Sequence, residues 1–93
     1  MRKIERTTRF KRDYKREAKG RHRASLDAIL TVVLGSLMND VGLGARYRDH
    51  PLAGAWAGFR DCHIKPDLVL IYRKPDEETL ELVRMGSHSE LGF

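Results

Sequence analysis

The sequence predicts an α+β domain, with two N-terminal helices packed on one face of an antiparallel sheet. Three observations carry this. Leu26, Ile29, Leu30, Val33, Leu34, Leu37 and Met38 recur at helical spacing. Beyond Pro51 the apolar period falls to two, in short runs separated by proline-containing turns. Ninety-three residues suffice for one domain with a single core, and no repeat or boundary divides residues 1–93.

Taken in order, residues 2–7 hold one apolar side chain, Ile4, and read as an edge strand or a frayed end. Thr8 is placed to cap a helix that begins at Arg9. Phe10, Tyr14 and Ala18 then fall at i, i+4 and i+8, one narrow buried stripe, and Gly20 is a natural stop. The second helix spans residues 23–39 and ends in a loop containing Asp40, Gly42 and Gly44. So short a connection makes the pair an antiparallel hairpin. Residues 55–59 and 60–65 read as short strands and 68–73, LVLIYR, as a longer one. Pro75, Asp76 and Glu77 form a turn into the partner strand, residues 79–85. The tail GSHSELGF reads as too short and polar for a further element.

Charge is unevenly placed. Residues 1–23 carry eleven Lys and Arg against three Asp and Glu, whereas the remainder carries seven against ten. Lys11, Arg12, Lys15, Arg16 and Lys19 fill the first helix outside its stripe. Such a segment is either a solvated face or a surface for a polyanionic partner: RNA, DNA or an acidic protein. No run approaches the ~20 apolar residues of a membrane span, and the N-terminus lacks the apolar core of a signal peptide. With a single Cys there is no internal disulfide, so the expectation is a cytoplasmic protein that uses no cofactor. Phosphate-binding glycine motifs and a serine nucleophile elbow are absent.

The stretch 47–67, YRDHPLAGAWAGFRDCHIKPD, does not read as core. It sets His50, Asp61, His63 and Asp67 among glycines and small residues. Strand alternation turns Cys62 and Ile64 toward the helices and sends Asp61, His63 and Lys65 to an open, concave face. Asp61 and His63 then lie roughly 7 Å apart along the strand. His50 enters the sheet just before Pro51, Asp67 follows Pro66 in a tight turn, and His88 follows the last strand, so His50, His63, Asp67 and His88 can converge at one edge. Imidazole gives or takes a proton near neutral pH, and a carboxylate beside it fixes its tautomer. These are the parts needed to cut RNA: a base for the 2′-hydroxyl and an acid for the leaving 5′-oxygen. Arg84 shares a face with Leu80 and Leu82 by alternation; it is either a strand-end charge or a clamp on the phosphate. Trp56 and Tyr47 are candidates to stack on bases or simply to pack. Metal-ligand spacings such as HxxxH or CxxC are missing, and the expectation is no metal.

The run YRDHPLAGAWAGFRDCHIKPDLVLIYR, followed by ELVRMGSHSELGF, resembles the YafQ-type toxins of the RelE superfamily, from type II toxin–antitoxin pairs. The likeness is dense over residues 47–72 and 84–88 and loose over the helices. It implies the RelE fold, with a cleft on the sheet face away from the helices. It implies a ribosome-dependent mRNA interferase that cuts mRNA in the A site without a metal. By the same likeness His50, His63, Asp67 and His88 match the acid–base residues, and Asp61 and Arg84 line the same cleft. Trp56, Lys65 and Phe93 fall to substrate binding. The basic helices would meet 16S ribosomal RNA. A cognate antitoxin, acidic in its toxin-binding segment, would neutralise the toxin and alone would carry it to operator DNA; no membrane is involved. Two departures stand out: Leu68 replaces a frequent Trp, and Gly92 separates Leu91 from the aromatic Phe93. The alternatives are a catalytically silent toxin-like module that binds antitoxin, RNA or operator DNA, and a metal-dependent nuclease.

Overall fold

A computed structural model describes residues 1–92, so the Phe93 assignment lies outside the described residues. The chain runs β1 (Lys3–Arg6), α1 (Thr8–Ala18), α2 (Leu26–Met38), β2 (His50–Pro51), β3 (Arg60–Lys65), β4 (Leu68–Arg73), β5 (Thr79–Gly86) and α3 (His88–Leu91). The sheet order is β1-β5-β4-β3-β2. The strands β2 to β5 pair antiparallel as expected, but the edge strand β1 runs parallel to β5. The α+β architecture therefore holds, with a mixed sheet.

The predicted stripe of α2 forms the core. Leu26, Leu30, Val33 and Leu37 are buried against Cys62, Ile64, Leu68, Leu70, Tyr72, Leu80, Leu82 and Met85 of the sheet. Cys62 and Ile64 face the helices as alternation requires, and burial pushes the Cys62 thiol up to about 12. Residues 20–25 are a turn, and α2 starts at Leu26 rather than at position 23. The cap of α1 is Thr7, one residue before the expected Thr8. Its hydroxyl accepts from the Phe10 amide at 3.0 Å and donates to the Val83 carbonyl at 2.7 Å, so the same group also docks the helix on β5.

That docking explains where α1 lies. β1 covers β5 only as far as Leu82, and α1 takes over the exposed edge beyond it. Asp13 accepts from the Met85 amide at 3.0 Å, and Arg16 donates to the Met85 carbonyl at 2.9 Å. Two side chains thus satisfy the backbone groups a neighbouring strand would otherwise pair. A Cβ at Gly86 would meet Arg16 Nη2 at 2.8 Å, so a side chain there would push that guanidinium off the Met85 carbonyl.

Three expectations need correction. Residues 55–59 are not a strand but a 3₁₀ turn at Gly54–Trp56, because Gly54 and Gly58 adopt φ of 63° and 91°, which ends extended backbone. The tail does form an element, α3. Ser87 and Glu90 make a capping box and Leu91 is buried, which fixes even this single turn. Finally, the sheet face away from the helices is only partly open. Val69, Ile71 and Leu91 form a second small core there, backed by Leu52, Trp56, Phe59 and Val83.

Candidate active site

What remains open on that face is the end where β2, β3 and α3 meet. His50 pairs with Asp61 across β2 and β3. His63 lies two residues further along β3, and α3 delivers His88 from the other side. The His63 and His88 rings stand 5.1 Å apart between centroids, tilted by 57°. Asp67, at the tip of the β3–β4 turn, has Oδ1 3.7 Å from His88 Nδ1 and receives Arg21 on Oδ2 at 2.7 Å. The structure therefore brings together His50, Asp61, His63, Asp67 and His88.

Asp61 is the unusual member. It is 3% exposed on the sheet face, and its Oδ1 has no hydrogen-bond partner among the described residues. His50 Nδ1 approaches that oxygen to 3.1 Å, but it bonds the Arg48 carbonyl at 2.7 Å. The contact is thus a charge approach, not a hydrogen bond for Asp61. Burial raises the Asp61 pKa above the ordinary carboxylate value, opposed by the charges of His50, His63 and His88. A group raised in this way contributes stability at low pH that is lost as pH rises through its folded pKa. Asp61→Asn cannot ionise, so it is expected to be more stable than the parent at pH 7. Urea denaturation of the two proteins at pH 7 checks this.

His63 is shifted the other way. Burial lowers its pKa, Asp61 opposes this, and the positive charges of His88, Arg48 and His50 add to the lowering. A neutral imidazole on His63 therefore sits beside a second histidine with its own carboxylate.

The other predicted residues are placed as follows. Arg84 does not share a face with Leu80 and Leu82. A register shift between Ile71 and Tyr72 sets Leu82 opposite Tyr72 but Arg84 opposite Ile71, so the bulge turns Arg84 onto the Asp61 face. There its guanidinium gives Nε to Asp13 Oδ2 at 2.8 Å and Nη2 to Asp13 Oδ1 at 3.1 Å. A second shift, between His63 and Lys65, sets Lys65 opposite Leu68, and Lys65 reaches the cavity lined by His63 and His88 from the end of β3. Trp56 packs edge-on to Phe59 at 5.4 Å in the second core. Lys11, Arg12, Lys15 and Lys19 are exposed along α1, whereas Arg16 is held by Asp13, Glu17 and Glu90.

Sequence reasoning passed over Asp13, Arg21 and Arg48. Asp13 had a signal: it lies three residues after Phe10 on the buried stripe, the one carboxylate there. Arg21 meets Asp67 across 46 residues, and nothing local announces it. Arg48 precedes His50 by two in the same suspicious stretch. Among the described residues no group of three or more His, Cys, Asp or Glu is arranged to hold a metal ion.

A family model described as the bacterial toxin YafQ of type II toxin–antitoxin systems matches residues 2–92. The mRNA interferase toxin YafQ of Escherichia coli K12 is 38% identical over 93 residues, which cover 98% of this chain and 96% of the relative. In the crystal structure of the E. coli DinJ–YafQ complex, the matching chain superposes with a TM-score of 0.82 at 36% identity, over 98% of both chains. A metal-bound toxin from Helicobacter pylori superposes with a TM-score of 0.80 at 42% identity, over 98% of this chain and 99% of that one.

Proposed function

The chain belongs to the YafQ family of type II toxin–antitoxin toxins, and from that premise we propose that it is an mRNA interferase, an endoribonuclease acting on the ribosome. His63 takes the proton of a ribose 2′-hydroxyl. The 2′-oxygen attacks the adjacent phosphorus, the bond to the 5′-oxygen breaks, and His88 protonates the departing oxygen. The products are a 2′,3′-cyclic phosphate and a 5′-hydroxyl end.

The observation that carries this is the paired imidazoles at 5.1 Å, one with a lowered pKa and the other beside Asp67. A base must be neutral to accept a proton, which suits His63. An acid must carry one, and His88 has the Asp67 carboxylate 3.7 Å from its Nδ1. His50 is oriented by the Arg48 carbonyl, and Asp61 supplies a desolvated negative charge facing all three rings. The two carboxylates set negative charge beside the imidazoles, so Asp61→Asn should lose cleavage even as it gains stability. Arg84 belongs to the same face, where its charge attracts the phosphate while Asp13 fixes its position.

The exposed Lys11, Arg12, Lys15 and Lys19 suit a ribosomal RNA surface, and an antitoxin would neutralise the protein, as DinJ is found with YafQ. Ribosome dependence is tested with purified mRNA in the presence and absence of translating ribosomes. Cutting is expected only on the ribosome; equal cutting of free mRNA would overturn that part of the reading.

A further inference from the structure

The histidine pair forms one wall of a cavity of about 620 Å³ that continues past the end of β3. Such a volume is within the range of small-molecule sites. Three cations line it: Arg46, Arg48 and Lys65. The apolar side is Tyr47 with Ile29 of α2. Arg46 holds the Tyr47 ring in place, with its guanidinium 4.8 Å from the ring centroid and Nη2 donating to the phenol at 2.7 Å. Cations around a fixed aromatic ring, next to acid–base groups, match a nucleotide better than any apolar ligand.

Arg48 links this cavity to the catalytic groups. It is one of two non-glycine residues with positive φ among the described residues, at 49°, a conformation that costs about 1–2 kcal/mol for a side chain of this kind. The turn it makes aims its carbonyl at His50 Nδ1 while its side chain lines the cavity. Arg84, by contrast, already has two donors committed to Asp13.

We propose that this cavity is a subsite for the RNA nucleotide flanking the cut, with Arg48 and Lys65 holding its phosphate and Tyr47 carrying its base. The proposal rests on the endoribonuclease reading and adds a phosphate-binding residue, Arg48, to it.

The test uses Arg48→Asn and Arg48→Lys. Asparagine tolerates the left-handed conformation, so the turn and its bond to His50 survive while the charge is lost. The probe is adenosine 3′,5′-bisphosphate, which cannot be cleaved and reports binding alone. The parent protein should bind it with amide shifts at residues 45–48 and 65. Arg48→Asn should weaken binding about tenfold, the loss of one charge-assisted contact, and Arg48→Lys less. In mRNA cleavage Arg48→Asn should raise KM more than it lowers kcat. If the parent does not bind the bisphosphate, if binding shifts other residues instead, or if Arg48→Asn binds it as tightly as the parent, the subsite is wrong. A protein that cuts mRNA but shows any of these results loses only the subsite. One that binds the bisphosphate at residues 45–48 without cutting mRNA loses the endoribonuclease reading instead.

Discussion

His63→Ala is expected to lower mRNA cleavage by about 10²–10⁴-fold, the usual contribution of a positioned general base. The fold should tolerate the change, because His63 is only half-buried and lies at the open end of the sheet. His88→Ala should cause a loss of similar size, and the double variant should be little worse than either alone, since the two rings act as a unit. The check is the rate of cutting of a translated reporter mRNA, with circular dichroism to confirm the fold. The pH profile follows from the direction of the His63 shift. A base with a lowered pKa stays neutral further into the acid range, so the acid limb of kcat/KM should fall below the ~6.5 of free imidazole. Retained activity in both single variants would remove these histidines from the mechanism.

Asp13→Ala is expected to cost about 3–5 kcal/mol, the typical penalty for stranding one partner of a buried ion pair. That is a large share of the ~5–15 kcal/mol that holds a small domain together. Asp13 is 3% exposed and accepts from Arg84, Arg16 and the Met85 amide. Its removal leaves the Arg84 guanidinium and an edge amide of β5 without these bonds. Urea titration measures the loss, and Asp13→Ala combined with Arg84→Met should lose less than the sum of the two singles. Burial alone would raise the Asp13 pKa, but the bonds from Arg84, Met85 and Arg16, with the charge of Arg84, hold it below 3.8. A depressed carboxylate contributes stability above its unfolded pKa and loses it as pH falls through the folded one. The parent should therefore lose stability below about pH 4, and Asp13→Ala should lose less over that range.

How far the sequence could be read depended on what each residue type encodes. Helical spacing in α2 and the facing of Cys62 and Ile64 follow from apolar periodicity, and both appear in the fold. Alternation misplaces Arg84 because it fails at a bulge, and no residue type marks that register shift or the one between His63 and Lys65. The turn at Gly54–Trp56 was hidden by the same small residues that permit a strand, until two of them took positive φ. α3 is legible only in the capping-box spacing of Ser87 and Glu90, because the tail GSHSELGF as a whole reads as too short and polar for an element. The sequence groups His50, His63 and His88 with Asp61 and Asp67, but not with Arg48 and Arg21, which hold His50 and Asp67. Arg48 acts through its carbonyl and Arg21 through a contact 46 residues away, and neither leaves a local pattern.

The chemistry of the cut ends tests the central claim most directly. mRNA should be recovered from translating ribosomes after exposure to the protein, and the fragment termini identified. Attack by the 2′-hydroxyl between His63 and His88 predicts a 2′,3′-cyclic phosphate, or the 3′-phosphate it hydrolyses to, opposite a 5′-hydroxyl. Fragments ending in a 3′-hydroxyl and a 5′-phosphate would mean that water, not the ribose, was the nucleophile, and would contradict the account.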